Sequence, residues 1–363
     1  MSRILAINPG STSTKIALYE DETERFAGNL HHSAQDLGVY SHIIEQYPFR
    51  LQAIQNLLEE RQVSLEQIDA FVGRGGLLEP ICSGTYLVDE EMLADLRAAV
   101  HGEHASNLGA LLAYEMAQSV QKSAFIVDPV VVDERQDLAR FSGHPDLPRR
   151  SIFHALNHKA VGRKAALQLG KAYQDVNLII AHLGGGISIA AHQRGRVVDV
   201  NNALDGDGPF SPERSGSLPV ADLVRLCFSG KKDRETILRM ITGRGGVVAY
   251  TGTNNLQELR ERIAKGDQFC KTVYEAMIYQ VAKEIGAQSV VLQGDIDAIV
   301  ITGGIANDSV FVNRLAEYCR QLAPILLFPG EEEMQALVFG VLRVLRGQEE
   351  ARRYQPKRTA CAC

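Results

Sequence analysis

Apolar residues arrive along this chain in short runs of strand length and in longer stretches spaced for one helix face. Arg3 to Asn8, Lys15 to Tyr19 and Thr23 to Leu30 predict three consecutive strands, a β-meander at the N-terminus. Helical spacing follows over Ser41 to Arg61, then a buried strand at Ala70 to Gly73, helices over Glu90 to Val100 and Asn107 to Gln121, and a short strand at Phe125 to Val127. The glycine and prolines of FSGHPDLPRR, within Asp133 to Arg150, predict an irregular connection before a helix from His154 to Leu169.

The second half repeats the first in outline. Strands are predicted at Val176 to His182, Ile187 to His192 and Val197 to Asn201. A largely helical region from Ala221 to Gln293 comes next, and then a buried strand at Ala298 to Thr302. Helices over Ser309 to Gln321 and Glu331 to Arg346 flank a strand at Ile325 to Phe328. With a constant offset of 174, Ile4 to Gly10 (ILAINPG) lies over Leu178 to Gly184 (LIIAHLG), which pairs Asn8 with His182, Gly10 with Gly184 and Ala17 with Ala191. Two like strand-loop-strand units predict two like lobes with a cleft between them. The expected division is 1–150 and 151–330, with 331–347 crossing back onto the first lobe and 351–363 as a tail.

A chain of 363 residues exceeds what one hydrophobic core usually supports, which agrees with two lobes. With 45% hydrophobic and 23% charged residues the composition is that of a globular protein, and no run of eighteen apolar residues suggests a membrane span. MSRILAIN lacks the pattern of a secretory signal, so a cytoplasmic location is expected. The net charge of -6 offers nucleic acid no general attraction, and Lys231, Lys232 and Arg234 read as a solvated helix start. Six cysteines form no CxxC pair, and histidines do not flank them at zinc-ligand spacing. Cys361 and Cys363 close a basic tail read as a frayed terminus. NNALDGDG, Asn201 to Gly208, hints at a calcium loop but lacks its twelfth-position glutamate, so a glycine-rich connection is the better reading.

Three glycine-bearing turns carry the candidate chemistry. NPGSTSTK, Asn8 to Lys15, combines small residues that admit close approach to the backbone with four hydroxyl groups suited to phosphate oxygens; a polar hairpin turn is the alternative. HLGGGISIA, His182 to Ala190, offers a second cradle or a glycine-kinked strand pair. In ITGGIANDS, Ile301 to Ser309, a buried strand ends at two glycines before a helix, a crossing suited to a nucleotide. No GxxxxGK[ST] loop occurs and no HRD or DFG set. Together, in this order on two lobes, the turns resemble the phosphate-1, phosphate-2 and adenosine loops of the acetate and sugar kinase, heat-shock protein 70 and actin superfamily.

Within it the chain resembles the acetokinase family, and its butyrate kinase branch most of all, from about Arg3 to Leu345. NPGSTSTK, FHALNHKAVGR (Phe153 to Arg163), HLGGGISIAA (His182 to Ala191) and PERSG (Pro212 to Gly216) follow in family order. The resemblance implies two ribonuclease H-like α/β lobes, ATP or ADP with Mg²⁺, a short-chain carboxylic acid as substrate and a homo-oligomer. It implies Arg74, Asp128, His154 and Arg214 as catalytic residues. Nucleotide contacts would come from Asn8, Gly10, Ser11, Thr12, Lys15, His182, Gly184, Gly185, Gly186, Gly303, Gly304, Ile305 and Asn307, with Asp308 closing the adenosine loop. Arg74 and His104 would meet the acid, and Asn8 and Glu332 the metal. Where acetate kinases carry an Asp-x-Arg nucleotide contact, only Asn255, Leu256 and Gln257 align.

The chemistry fits these residue types. A carboxylate, with a reference pKa of about 4, is already ionised at neutral pH and needs no general base to attack phosphorus. It needs cancellation of charge repulsion, which two guanidinium groups and Mg²⁺ supply. His154 would donate to an equatorial phosphoryl oxygen and Asp128 would orient an arginine or a metal-bound water. Read without the resemblance, Arg74 fits a structural salt bridge equally well, Asp128-Pro129 is a common turn pair, and His158 suits packing or a helix-surface contact. The expected reaction is butanoate plus ATP to butanoyl phosphate plus ADP, reversible and at the end of a fermentation. The alternatives are another short or branched acid (isobutyrate, propionate, acetate) or a non-catalytic ATP-dependent switch.

Overall fold

A computed structural model describes residues 1–356; Cys361 and Cys363 lie outside the described residues. The chain divides into two compact units, one of Met1–Asp133 joined by the chain from Glu332 on, the other of Glu134–Glu331. Residues 134–150 pack with the second unit through specific pairs. Lys159 reaches Glu134 at 2.6 Å in a buried ion pair, and Arg149 contacts Asp199 at 3.0 Å and donates to the Val200 carbonyl at 3.0 Å.

In the first unit, β1 (Arg3–Pro9), β2 (Ser13–Glu20) and β3 (Thr23–His31) form the antiparallel meander. β4 (Ala70–Arg74) lies parallel to β1, and β6 (Ser123–Val127) parallel to β4. β5 (Thr85–Leu87) extends this sheet, and with the edge strand β12 (Arg352–Arg353) the order is β12-β5-β6-β4-β1-β2-β3. The central strands are buried on both faces, as parallel sheets are. On one face Leu5, Ile7, Ile16 and Phe71 pack with Ile54 and Leu58 of the helix Tyr47–Glu60 and with Leu108 and Leu112 of the helix Asn107–Ser119. The helix Glu333–Leu345 packs on β1, β4 and β6 from the chain's far end.

In the second unit β7 (Asn177–Leu183), β8 (Ile187–Gln193) and β9 (Arg196–Val200) repeat the meander. β10 (Ala298–Gly303) lies parallel to β7, and β11 (Ile325–Pro329) parallel to β10, in the order β11-β10-β7-β8-β9. β1 and β7 span the same positions under the offset of 174, and both units share the order third-second-first-fourth strand. The long helix Gln268–Val291 covers one face with Met277, Ile278, Val281 and Ile285, while Val161 and Ala165 of the helix Ala155–Gln168 cover the other. Among the described residues no helix is long and apolar enough to cross a membrane.

One close approach positions a site residue. A Cβ on Gly73 would fall 2.0 Å from the Gly109 carbonyl oxygen, and one on Gly109 would fall 2.3 Å from the Arg74 carbonyl oxygen. Backbone meets backbone there, so neither side can yield. Gly73→Ala is expected to cost about 3 kcal/mol or more by overpacking, read as a fall in chemical denaturation midpoint. A change under about 1 kcal/mol would mean that the helix slides along the sheet at little cost.

Candidate active site

Three parallel neighbours of the first sheet, β1, β4 and β6, end in a row. Their register sets Ile7 beside Gly73 and Arg74 beside Val127, so Asn8, Arg74 and Asp128 fall at adjacent carboxyl ends, the side where open α/β sheets bind ligands. Asn8 Nδ2 donates to Glu333 Oε2 at 2.6 Å, and Arg74 Nη1 donates to Glu333 Oε1 of the same carboxylate. Glu333 is the first residue of the helix Glu333–Leu345, where free backbone N–H groups favour a negative charge.

In the acidic run it is Glu333 whose carboxylate meets Asn8 and Arg74, next to the Glu332 expected at the metal; Glu332 is the exposed residue preceding the helix. Glu331 belongs to the second unit, where its Oε1 lies 3.0 Å from His182 Nε2. At a helix start, successive residues turn by about 100°, so one position decides which carboxylate faces the strand ends.

Asp128 is buried and left-handed, with φ +39°. Its Oδ1 accepts from Ser83 Oγ at 2.6 Å and from the Gly84 amide at 2.8 Å, so this oxygen holds the turn before β5. His104 is exposed, with Nδ1 bonded to Ser106 Oγ at 2.7 Å ahead of the helix Asn107–Ser119. In the first glycine turn the Gly10 amide donates to the Ser13 carbonyl at 2.7 Å, and Ser11, Thr12 and Lys15 are exposed. Behind the turn, fully buried Arg50 donates to the Ser13 carbonyl and Thr14 Oγ1, each at 3.0 Å. Sequence reasoning missed this brace, because a lone arginine on an amphipathic helix reads as surface.

In the second unit His182 stands one residue before the end of β7; it is buried and its Nδ1 lies 2.8 Å from Asn157 Oδ1. The buried Nε2 makes no aligned hydrogen bond, Glu331 notwithstanding. His154, just ahead of the helix Ala155–Gln168, stacks on the His182 ring with centroids 3.8 Å apart. Next to them the turn Gly184–Gly186 is kept bare by what surrounds it. A Cβ would lie 3.2 Å from His182 Nε2 at Gly184, 3.3 Å from Glu213 Oε1 at Gly185, and 2.0 Å from Arg214 Nη1 at Gly186. Arg214 Nη1 donates to the Ala203 carbonyl at 2.7 Å, its Nε is buried without a partner, and burial pulls its guanidinium below the ordinary arginine range. An unpartnered donor on a buried cation fits an anion that arrives with the ligand.

The third turn opens on a pocket of about 820 Å³ whose lining includes Gly184, Gly185, Glu213, Gly304, Ile305, Asn307 and Asp308, together with Asn255, Leu256, Gln257 and Arg260. Gly303 lies behind it with φ +90°, where a Cβ would come 2.3 Å from the Leu183 carbonyl oxygen. The Asn255-Leu256-Gln257 segment therefore does line this pocket, but the arginine is Arg260, which donates to Asp308 Oδ1 at 2.9 Å. Tyr274 donates to Asp308 Oδ2 at 2.8 Å, and burial with this bond raises its hydroxyl pKa. The helical spacing supplied the missed signal: Arg260 stands three residues after Gln257, on the same face of the helix Leu256–Ala264.

The residues present fit a magnesium nucleotide. Mg²⁺ takes oxygen ligands, keeps several waters and uses one or two carboxylates beside substrate phosphates. The Glu333 carboxylate and the Asn8 amide offer that donor set, and among the described residues no group of three or more His, Cys, Asp or Glu forms a closed metal cage.

Similarity to known proteins agrees with this geometry. Butyrate kinase 2 of Clostridium acetobutylicum is 54% identical over 97% of this chain and 99% of its own length, and butyrate kinase 1 of the same organism is 51% identical over 98% and 100%. Among solved structures, acetate kinase of Porphyromonas gingivalis superposes with a TM-score of 0.79 at 19% identity, covering 95% of this chain and 100% of that one. A propionate kinase from Francisella tularensis gives 0.74 at 21%, covering 93% and 98%. At these identities the likeness carries the fold alone, that of the actin-like ATPases. A model described as the Acetokinase family matches residues 145–333, the stretch that holds His154, the second and third glycine turns and Arg214, and with relatives above half identity along nearly the whole length this chain belongs to the acetokinase family.

Proposed function

We propose that this chain is a butyrate kinase, which moves the γ-phosphoryl group of ATP reversibly to the carboxylate of butanoate. The observation that carries the reading is identity of 54% and 51%, over nearly the full length, to two proteins named butyrate kinase. Residue chemistry supports it. Two arginines with little exposure, Arg74 and Arg214, stand at strand and turn ends, and paired cations suit a nucleophile that is already an anion attacking an anionic phosphate.

Each residue then has a task. The 820 Å³ pocket takes the adenosine, lined by residues Gly304 to Asn307 and by Arg260. Gly184 to Gly186 let the phosphates approach the backbone, and the buried Nε2 of His182 meets a phosphate oxygen. His154 donates to the moving phosphoryl group. Arg74 and Arg214 take up charge that spreads over its equatorial oxygens. Glu333 and Asn8 would hold the magnesium, which would supply positive charge to offset that of the phosphates. Glu333 also orients Arg74, and Asp128 braces the turn beside it.

The test is acyl phosphate formation trapped as hydroxamate, with ATP, Mg²⁺ and acids from acetate to hexanoate, isobutyrate included. A maximum of kcat/KM at butanoate is expected. One methylene in an apolar pocket changes selectivity by about 1–3 kcal/mol, so neighbouring acids should fall by 10-fold or more. A maximum at acetate, propionate or isobutyrate would reassign the acid, and ADP release without hydroxamate would make the chain an ATP-dependent switch.

A further inference from the structure

Five side chains of the second unit form one continuous hydrogen-bonded line. The Tyr173 hydroxyl lies 2.6 Å from His192 Nδ1, and His192 Nε2 lies 3.2 Å from His158 Nδ1. His158 Nε2 lies 2.9 Å from Ser188 Oγ, which lies 2.8 Å from His154 Nδ1. His158, Ser188 and His192 are wholly buried, and Tyr173 nearly so. Four of these residues have no part in the roles proposed above, yet the line ends on His154.

A neutral imidazole has one N–H and one bare nitrogen, so it accepts on one side and donates on the other. Burial holds both His158 and His192 well below the usual imidazole range, which keeps them neutral. One end of such a line therefore sets the polarity of every bond in it. A phenol hydroxyl is a better donor than acceptor, imidazole nitrogen is a strong acceptor, and 2.6 Å is a short bond for the pair. With Tyr173 donating to His192 Nδ1, His192 donates from Nε2 to His158, and His158 donates from Nε2 to Ser188 Oγ. Among the described residues Ser188 Oγ bonds only these two imidazoles, so its own proton goes to His154 Nδ1. The remaining proton of His154 then sits on Nε2.

We propose that Tyr173, acting through His192, His158 and Ser188, is a positioning residue that holds His154 as the neutral Nε2–H tautomer, a fixed donor for a phosphoryl oxygen. The role of that donor rests on the kinase reading; the tautomer does not. A donor preset before the reaction contributes because nothing has to reorganise as charge develops.

Nitrogen-15 NMR of histidine-labelled protein reads the tautomer directly. In the unsubstituted chain His154 should show a protonated Nε2 and a bare Nδ1. In Tyr173→Phe, which removes one oxygen and leaves the ring in place, the two forms should mix and kcat should fall about 10-fold, a fraction of the ~10²–10³ lost when a whole donor is removed. KM for ATP and the melting temperature should stay near their starting values. Tyr173→Phe combined with Ser188→Ala should be no slower than Ser188→Ala alone, since both cut the same line. A proton on His154 Nδ1 in the unsubstituted chain would overturn the proposal, as would an unchanged tautomer in Tyr173→Phe or losses that add. If the chain formed no acyl phosphate at all, the kinase reading would fail, and the NMR result would still decide the relay.

Discussion

Arg74→Ala and Arg214→Ala are each expected to lower kcat for acyl phosphate formation by about 10³-fold, the scale on which a guanidinium that stabilises a phosphoryl transition state acts. Arg74 is bonded to Glu333 beside Asn8 and is held where β4 ends by the Gly73–Gly109 contact. Arg214 is anchored to the Ala203 carbonyl with a second nitrogen buried and unpaired. Neither side chain fills a hydrophobic core, so loss of either should shift the melting temperature by only a few degrees, equivalent to about 1 kcal/mol. Hydroxamate kinetics and a thermal melt on the same preparations check both halves. A loss of less than 10-fold would remove that arginine from the reaction, and a collapse in stability would return it to the salt-bridge reading that its sequence context also allows.

Gly186→Ala tests placement without removing a charged group. The added methyl would lie 2.0 Å from Arg214 Nη1 and 2.6 Å from its Cζ, so the guanidinium must leave the Ala203 carbonyl. The obstacle is the far end of a flexible side chain, so the fold should survive. Turnover should not: displacement of a group by about 1 Å costs on the order of 10²-fold when the reaction depends on alignment. The double variant Gly186→Ala, Arg214→Ala should be about as slow as Arg214→Ala alone, because the methyl then has nothing left to displace. Near-normal turnover in Gly186→Ala would mean that Arg214 acts from a position other than the one it occupies here.

Most elements were readable from the sequence because they are strongly apolar and short. The expected strands at Arg3 to Asn8, Ala70 to Gly73, Val176 to His182 and Ala298 to Thr302 lie within or one residue beyond the observed ones. β5 and β12 were not expected. Three and two residues long, each depends on a partner strand and leaves no periodic signal of its own. The glycine turns were legible as turns, but the physical need for each glycine was not: Gly186 is bare because of Arg214 and Gly303 because of the Leu183 backbone, contacts remote in sequence.

The sequence by itself determined which residues could do the chemistry and that two similar α/β units would carry them, since strand patterns, hydroxyl-rich and glycine-rich turns and the motifs around His154 and Arg214 are local properties of the chain. Only tertiary structure decided which partner each of those residues has. A helix contributed from beyond residue 331 brings Glu333 rather than Glu332 to Asn8 and Arg74, a choice of about 100° of rotation at a helix start. The turn before β5 claims an oxygen of Asp128, and one turn of helix places Arg260 where three aligned residues had suggested no arginine. His158 read as a packing or helix-surface residue and His192 only as the end of a strand, and they become one line to His154 only when β8 lies against the helix Ala155–Gln168. Burial and hydrogen-bond direction are properties of that assembled neighbourhood, and neither is written in a residue's type or spacing.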